Sequence, residues 1–153
     1  MLKAGDKAPD FSLKDHSGRK ITLASLLTKG PLLLYFYPAD FTPGCTKEAC
    51  EIRDMHEDIS DVGIQVVGVS PQDGDSHESF RKEYELPFPL LADPDKLAVK
   101  AYGVDGPLGF GVRRATFLIN PDRTIEDVVV ADFRISKHSD FIREAVAQAD
   151  TRG

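Results

Sequence analysis

The stretch Leu32-Leu33-Leu34-Tyr35-Phe36-Tyr37-Pro38-Ala39-Asp40-Phe41-Thr42-Pro43-Gly44-Cys45 decides the fold. Its first six residues are an unbroken apolar run of strand length, which fits a strand buried on both faces of a helix-covered sheet. Pro38 ends that strand. Thr42 stands where a helix N-cap belongs, and Pro43 takes the first helical position, where its missing N–H leaves no bond unmade. The spacing of Ala49, Ile52, Met55 or His56, and Ile59 predicts a helix over 43–60.

Working outward, the segment 10–15 alternates apolar and polar residues, His16-Ser17-Gly18-Arg19 reads as a turn, and Ile21-Thr22-Leu23 alternates again. That predicts an N-terminal hairpin. Beyond the helix, Asp61-Val62-Gly63 is a stop and residues 64–70 read as a second buried strand. A polar loop over 71–75, a helix over 76–84, an extended segment over 87–92 and a short helix over 97–102 follow. Strands at 116–119 and 125–130 flank Asn120-Pro121-Asp122-Arg123, a type I turn with proline at its second position. An amphipathic helix over 137–149 closes the chain. Strand–helix–strand units followed by a hairpin and a terminal helix predict an α/β fold of thioredoxin-like plan, a central mixed β-sheet flanked by helices.

At 153 residues, with 41% apolar and 29% charged side chains, the composition is that of one globular domain spanning 1–153. A net charge of −6 argues against a nucleic-acid partner. No apolar run approaches the roughly 20 residues of a membrane span. The start Met1-Leu2-Lys3-Ala4-Gly5-Asp6 lacks a secretory pattern, so a cytoplasmic protein is expected.

The two cysteines, Cys45 and Cys50, admit several readings. They are small buried hydrophobes, or a weak zinc pair, or a redox pair. On an ideal helix, residues five apart have Cα atoms about 8.6 Å from each other. Disulfides rarely form beyond about 7 Å, so a Cys45–Cys50 bond requires the first turns of this helix to unwind. Cys45 is the third helical residue, where unpaired N–H groups and the positive end of the helix dipole favour a thiolate. Cys50 lies deeper and lacks that help. Thr42 carries a hydroxyl able to bond a bound oxygen, Pro38 is placed to shield the thiolate, and Arg114 near Cys45 would hold both thiolate and substrate oxygen. Taken singly, Thr42 also reads as a cap, and Arg113 and Arg114 as surface charges.

Pro38-x-x-x-Thr42-x-x-Cys45, Arg114-Ala115-Thr116-Phe117 and the string from Tyr35 to Cys50 together resemble the peroxiredoxins. They are most similar to the bacterioferritin comigratory protein, or peroxiredoxin Q, branch. The resemblance covers nearly the whole chain. It implies that Cys45 is the peroxidatic cysteine, with Pro38, Thr42 and Arg114 completing its pocket, and that Cys50 is the resolving cysteine. It implies reduction of hydrogen peroxide and organic hydroperoxides through a Cys45 sulfenic acid and a Cys45–Cys50 disulfide. That disulfide would be recycled by thioredoxin or a similar dithiol, with no metal or organic cofactor. An intramolecular disulfide leaves a monomer or weak homodimer open. The segment 103–112 departs from many relatives in being short and glycine-rich. It lacks the strand, helix and Gly-Lys-Ser/Thr of a nucleotide loop.

Two other readings compete. A thioredoxin-like protein-disulfide oxidoreductase shares the fold plan but uses Cys-x-x-Cys, typically after tryptophan, whereas this chain has no tryptophan and a wider spacing. A redox-sensing or chaperone-like protein would use the same disulfide switch to regulate binding.

Overall fold

The apolar run at 32–37 lies mid-sheet and feeds two separate cores with alternate side chains. Leu32, Leu34 and Phe36 enter one core, and Leu33, Tyr35 and Tyr37 enter the other. A strand with this period and both faces covered reads as continuous hydrophobicity. The computed structural model describes residues 2–152, so the outermost residues of the 1–153 span lie outside it.

In chain order the elements are β1 (Ser12–Asp15), β2 (Lys20–Thr22), α1 (Leu23–Leu27), β3 (Leu32–Phe36), α2 (Pro43–Asp61) and β4 (Gln65–Ser70). Then come α3 (Gly74–Tyr84), β5 (Leu90–Ala92), α4 (Leu97–Ala101), a 3-10 turn (Pro107–Gly109), β6 (Ala115–Ile119), β7 (Ile125–Val130) and α5 (Ile135–Arg152). The strands form one open sheet in the order β2-β1-β5-β4-β3-β6-β7. β3 runs parallel to β4, and β4 to β5; the other pairings are antiparallel. This is the expected mixed sheet with an N-terminal hairpin.

One face is covered by α1 and α4 through Leu23, Leu26, Leu27, Ala98 and Val99. The other is covered by α2, α3 and α5 through Ala49, Ile52, Ile59, Phe80, Ile142 and Ala145. Each large aliphatic or aromatic side chain among them stabilises the fold by roughly 1.5–3 kcal/mol when fully buried. Gly68 in β4 is required by this packing. A Cβ there would lie 2.8 Å from Leu90 Cδ2 and 2.9 Å from Tyr35 Cζ.

α2 stops as its sequence predicts. Gly63 takes φ +79°, its N–H bonds Ser60 O at 2.9 Å, and the Ile64 N–H bonds Ile59 O at 3.2 Å. These two bonds make a Schellman motif. Several boundaries differ from expectation, most by one to three residues. Residue 23 is not strand but the first residue of α1, because Thr22 caps that helix in a reciprocal box with Ser25. α3 begins at Gly74 rather than 76, because the Asp73 carboxylate accepts from the Ser76 N–H at 2.9 Å. α5 starts two residues before 137 and continues three beyond 149.

The 120–123 turn closes with Arg123 N–H on Asn120 O at 2.9 Å, and Arg123 then adopts φ +74°. That left-handed residue accompanies the register shift between Leu118 and Ile119.

Candidate active site

α2 begins at Pro43, so Gly44 and Cys45 are its second and third residues, and the Thr46 N–H makes the bond back to Thr42 O, at 2.8 Å. Helix geometry leaves the N–H groups of Gly44 and Cys45 without a partner inside the helix. Thr42 occupies the N-cap with extended backbone, yet its side chain makes no cap bond. It instead donates to Ala39 O at 2.9 Å. The expected cap is therefore positional only. The hydroxyl is turned into the loop, and the positive helix end stays available to an anion.

Cys45 is 2% exposed. Arg114, which precedes β6, donates from Nη2 to Cys45 Sγ at 3.4 Å. It is not a surface charge: it is buried. Gly44 makes room for it, since a Cβ on that residue would stand 3.1 Å from Arg114 Nη2. Asp132, between β7 and α5, holds the arginine from behind. Its Oδ1 accepts from the Arg114 N–H at 3.1 Å and its backbone O from Arg114 Nε at 3.3 Å. Arg113 is half-exposed and pairs with Asp132 Oδ2 at 3.0 Å. Partial burial pushes the Asp132 carboxyl up, but the bonds from Arg113 and Arg114 prevail and hold it below the usual range.

The sequence reading missed the group that completes this arrangement. Glu48, one helical turn after Cys45, is buried and accepts from Arg114 Nη1 at 2.6 Å. Burial raises its carboxyl from 4.5 to about 7, against the pull of Arg114. Among the described residues Glu48 Oε2 makes no hydrogen bond, and it stands 3.7 Å from His138 Nδ1. His138 Nε2 faces Ala131 O at 2.9 Å, which only accepts, so the hydrogen is on Nε2. Nδ1 then accepts from Thr116 Oγ1 at 2.8 Å. Burial holds the imidazole below its usual range. The Cys45/Glu48 spacing of three on a helix, and the Arg114/Thr116 spacing of two where the chain enters a strand, were signals that these polar residues share faces.

Pro38, Thr42, Gly44, Cys45 and Arg114 line one cavity of about 980 Å³, with Phe110 and Phe133 at its rim. Pro38 is itself exposed, so it walls the thiol rather than lying over it in a closed interior. The glycine-rich segment forms a 3-10 turn over Pro107–Gly109 and contributes Gly106, Pro107 and Gly111 to the same wall. Cys50 is absent from this lining. It is partly exposed, its thiol is free, and it shares with Cys45 one uninterrupted helix. Four of the five anticipated residues thus converge, and the fifth does not reach them in this conformation.

The AhpC/TSA family model matches residues 4–128. Peroxiredoxin Q of Sedum lineare, a chloroplastic protein, is 41% identical over 138 residues, covering 89% of this chain and 73% of that one. The putative chloroplastic peroxiredoxin Q of Oryza sativa subsp. indica is 40% identical over 139 residues, covering 90% of this chain; the chain spans only 63% of that relative's length. Among solved structures, peroxidoxin BcpB from Mycobacterium tuberculosis superposes with a TM-score of 0.90 at 36% identity, covering 97% of this chain and 98% of that one. A cysteine-to-serine mutant of PrxQ from Xylella fastidiosa gives a TM-score of 0.88 at 29% identity, with coverage of 97% and 98%. The sheet and its helices are therefore the thioredoxin-like fold as peroxiredoxins build it, and the chain belongs to the AhpC/TSA family, in its peroxiredoxin Q branch.

Proposed function

We propose that the chain is a thiol-dependent peroxidase that reduces hydrogen peroxide and organic hydroperoxides. The observation that carries this reading is the Arg114 Nη2–Cys45 Sγ contact of 3.4 Å at an uncapped helix start inside a cavity. A thiolate there faces a fixed cation and free N–H donors, which also suit the oxygen charge that develops as the O–O bond breaks.

The Cys45 thiolate attacks the terminal peroxide oxygen. The S–O bond forms, the O–O bond breaks, and the electron pair leaves on hydroxide or alkoxide, which takes a proton to become water or alcohol. Cys45 is left as sulfenic acid. Arg114, the Gly44 and Cys45 N–H groups and the Thr42 hydroxyl bind the two oxygens, while Pro38 limits water at the sulfur. Cys50 then attacks the sulfenic sulfur, expelling water and forming the Cys45–Cys50 disulfide. The intact helix forbids this, so α2 unwinds at its start. Thioredoxin or a similar dithiol restores both thiols by exchange.

The near-complete burial of Cys45 disfavours the protein-disulfide oxidoreductase reading, which needs its attacking sulfur open to a protein substrate. A pair that cycles through a disulfide needs a reducing compartment, which supports a cytoplasmic location. An intramolecular disulfide asks nothing of a second chain, which supports a monomer or weak homodimer. The test is peroxide-dependent NADPH oxidation by the purified protein with thioredoxin and its reductase. Turnover supports the reading; reduction of insulin disulfides with peroxide left untouched overturns it.

A further inference from the structure

Outside the cavity lies a second buried polar cluster that the chemistry above does not use. Asp40, in the loop between β3 and α2, is buried, and His77 on the first turns of α3 is fully so. Asp40 Oδ1 accepts from the Tyr37 hydroxyl at 2.6 Å. Asp40 Oδ2 accepts from the Ser76 hydroxyl at 2.7 Å and stands 2.7 Å from His77 Nδ1. His77 Nε2 faces Leu91 O, on β5, at 3.0 Å. A carbonyl only accepts, so Nε2 carries a hydrogen, and one further proton is held between Nδ1 and the Asp40 carboxylate. Next in the chain, Phe41 adopts φ +65°, a left-handed backbone unusual for an aromatic residue. Its ring packs edge-on against Phe80, centroids 5.1 Å apart, and lies 6.3 Å from Tyr84, both on α3. Two consecutive residues thus fasten the loop to α3 and, through His77, to β5. Pro38 and Thr42, which wall the thiol, lie two residues to either side of Asp40.

We infer that Asp40 and His77 are positioning residues for the peroxidase reaction, anchoring the 38–42 loop to α3 so that Pro38 and Thr42 are held in the wall around Cys45. The inference rests on the function proposed above. Neither residue touches the cavity, so neither acts on peroxide. The anchor also sets where unwinding begins. A loop fastened at Asp40 and Phe41 stays in place, and the part of α2 that gives way on disulfide formation starts at Pro43. The anchor therefore serves the step that needs the intact site, and not the step in which the helix has opened.

The test separates those steps. Asp40→Asn keeps the side-chain shape and an acceptor for Tyr37, and replaces Oδ2, the acceptor for Ser76 beside His77 Nδ1, by an NH2 that only donates. Rapid-mixing kinetics should show the second-order reaction of Cys45 with hydrogen peroxide falling about tenfold or more, while the first-order formation of the Cys45–Cys50 disulfide is unchanged or faster. Ser76→Ala, which removes one bond to Asp40, should shift the ratio of the two rates the same way by a smaller factor. Rates that stay within twofold of wild type, or that fall in proportion, overturn the inference. Hydrogen exchange of the reduced protein provides a readout independent of peroxide. Asp40→Asn should speed exchange across 38–50 and leave β3 and β4 protected. Unaltered exchange at 38–50 overturns the anchor even where wild type turns over, and a wild type inert to peroxide sinks the functional reading alone.

Discussion

Arg114 reaches Cys45 Sγ with Nη2 at 3.4 Å while Nη1 reaches Glu48 Oε1 at 2.6 Å. One planar guanidinium thus joins a thiol and a carboxylate on successive turns of the same helix. The fork is what makes the arrangement work, because a single ammonium cannot serve both partners in fixed geometry. Arg114→Lys should accordingly lower kcat/KM for peroxide by about 100-fold or more with the fold retained, the scale typical of losing an aimed donor in an active site. Steady-state turnover with circular dichroism of the reduced protein checks this.

Glu48 gives the protein a pH signature. Its carboxyl is raised from 4.5 to about 7 by burial, against Arg114. Between those values the folded chain keeps a proton that the unfolded chain has released. The contribution is therefore fully present below the unfolded value and is lost as pH rises through about 7. Its size is on the order of 3 kcal/mol. Glu48→Gln lacks this group, so the wild-type minus variant stability should decline across that window. Denaturant unfolding of the reduced proteins at pH 5 and pH 8 measures it, and parallel profiles would count against the assignment.

Thr42 is predicted to matter for turnover and not for helix stability. Its hydroxyl bonds Ala39 O and leaves the helix end uncapped. Thr42→Val should reduce kcat/KM for peroxide by about tenfold or more, as expected for a hydrogen-bonding group lost beside the reacting oxygens. Its effect on unfolding free energy should stay below the roughly 1 kcal/mol of a lost cap. Thr42→Ser should retain most activity.

The central strand, α2 with its proline start and glycine stop, and the hairpin were legible because each has a local cause: continuous apolar residues, a fixed φ, a turn. Cys45 was legible for the same reason, by its place in a helix turn, and Arg114 by the motif that follows the glycine-rich segment. Glu48 and His138 were not. A charged residue on an amphipathic helix looks solvent-facing until the partner that neutralises it is known, and Arg114 is 66 residues away in sequence. His77 and Asp40 escaped notice likewise, since their pairing depends on where α3 lands. α1 was lost because a five-residue helix leaves no periodicity to read.

In the proposed cycle, Cys45 takes the peroxide oxygen and Cys50 then displaces it within the same chain. Intact-mass measurement of the reduced protein after one equivalent of hydrogen peroxide tests it most directly. Wild type should lose two hydrogens and remain a single chain, Cys50→Ser should gain one oxygen at Cys45, and Cys45→Ser should be unchanged. A wild type left unmodified, or a Cys45→Ser variant that gains the oxygen at Cys50, would rule out that order of attack.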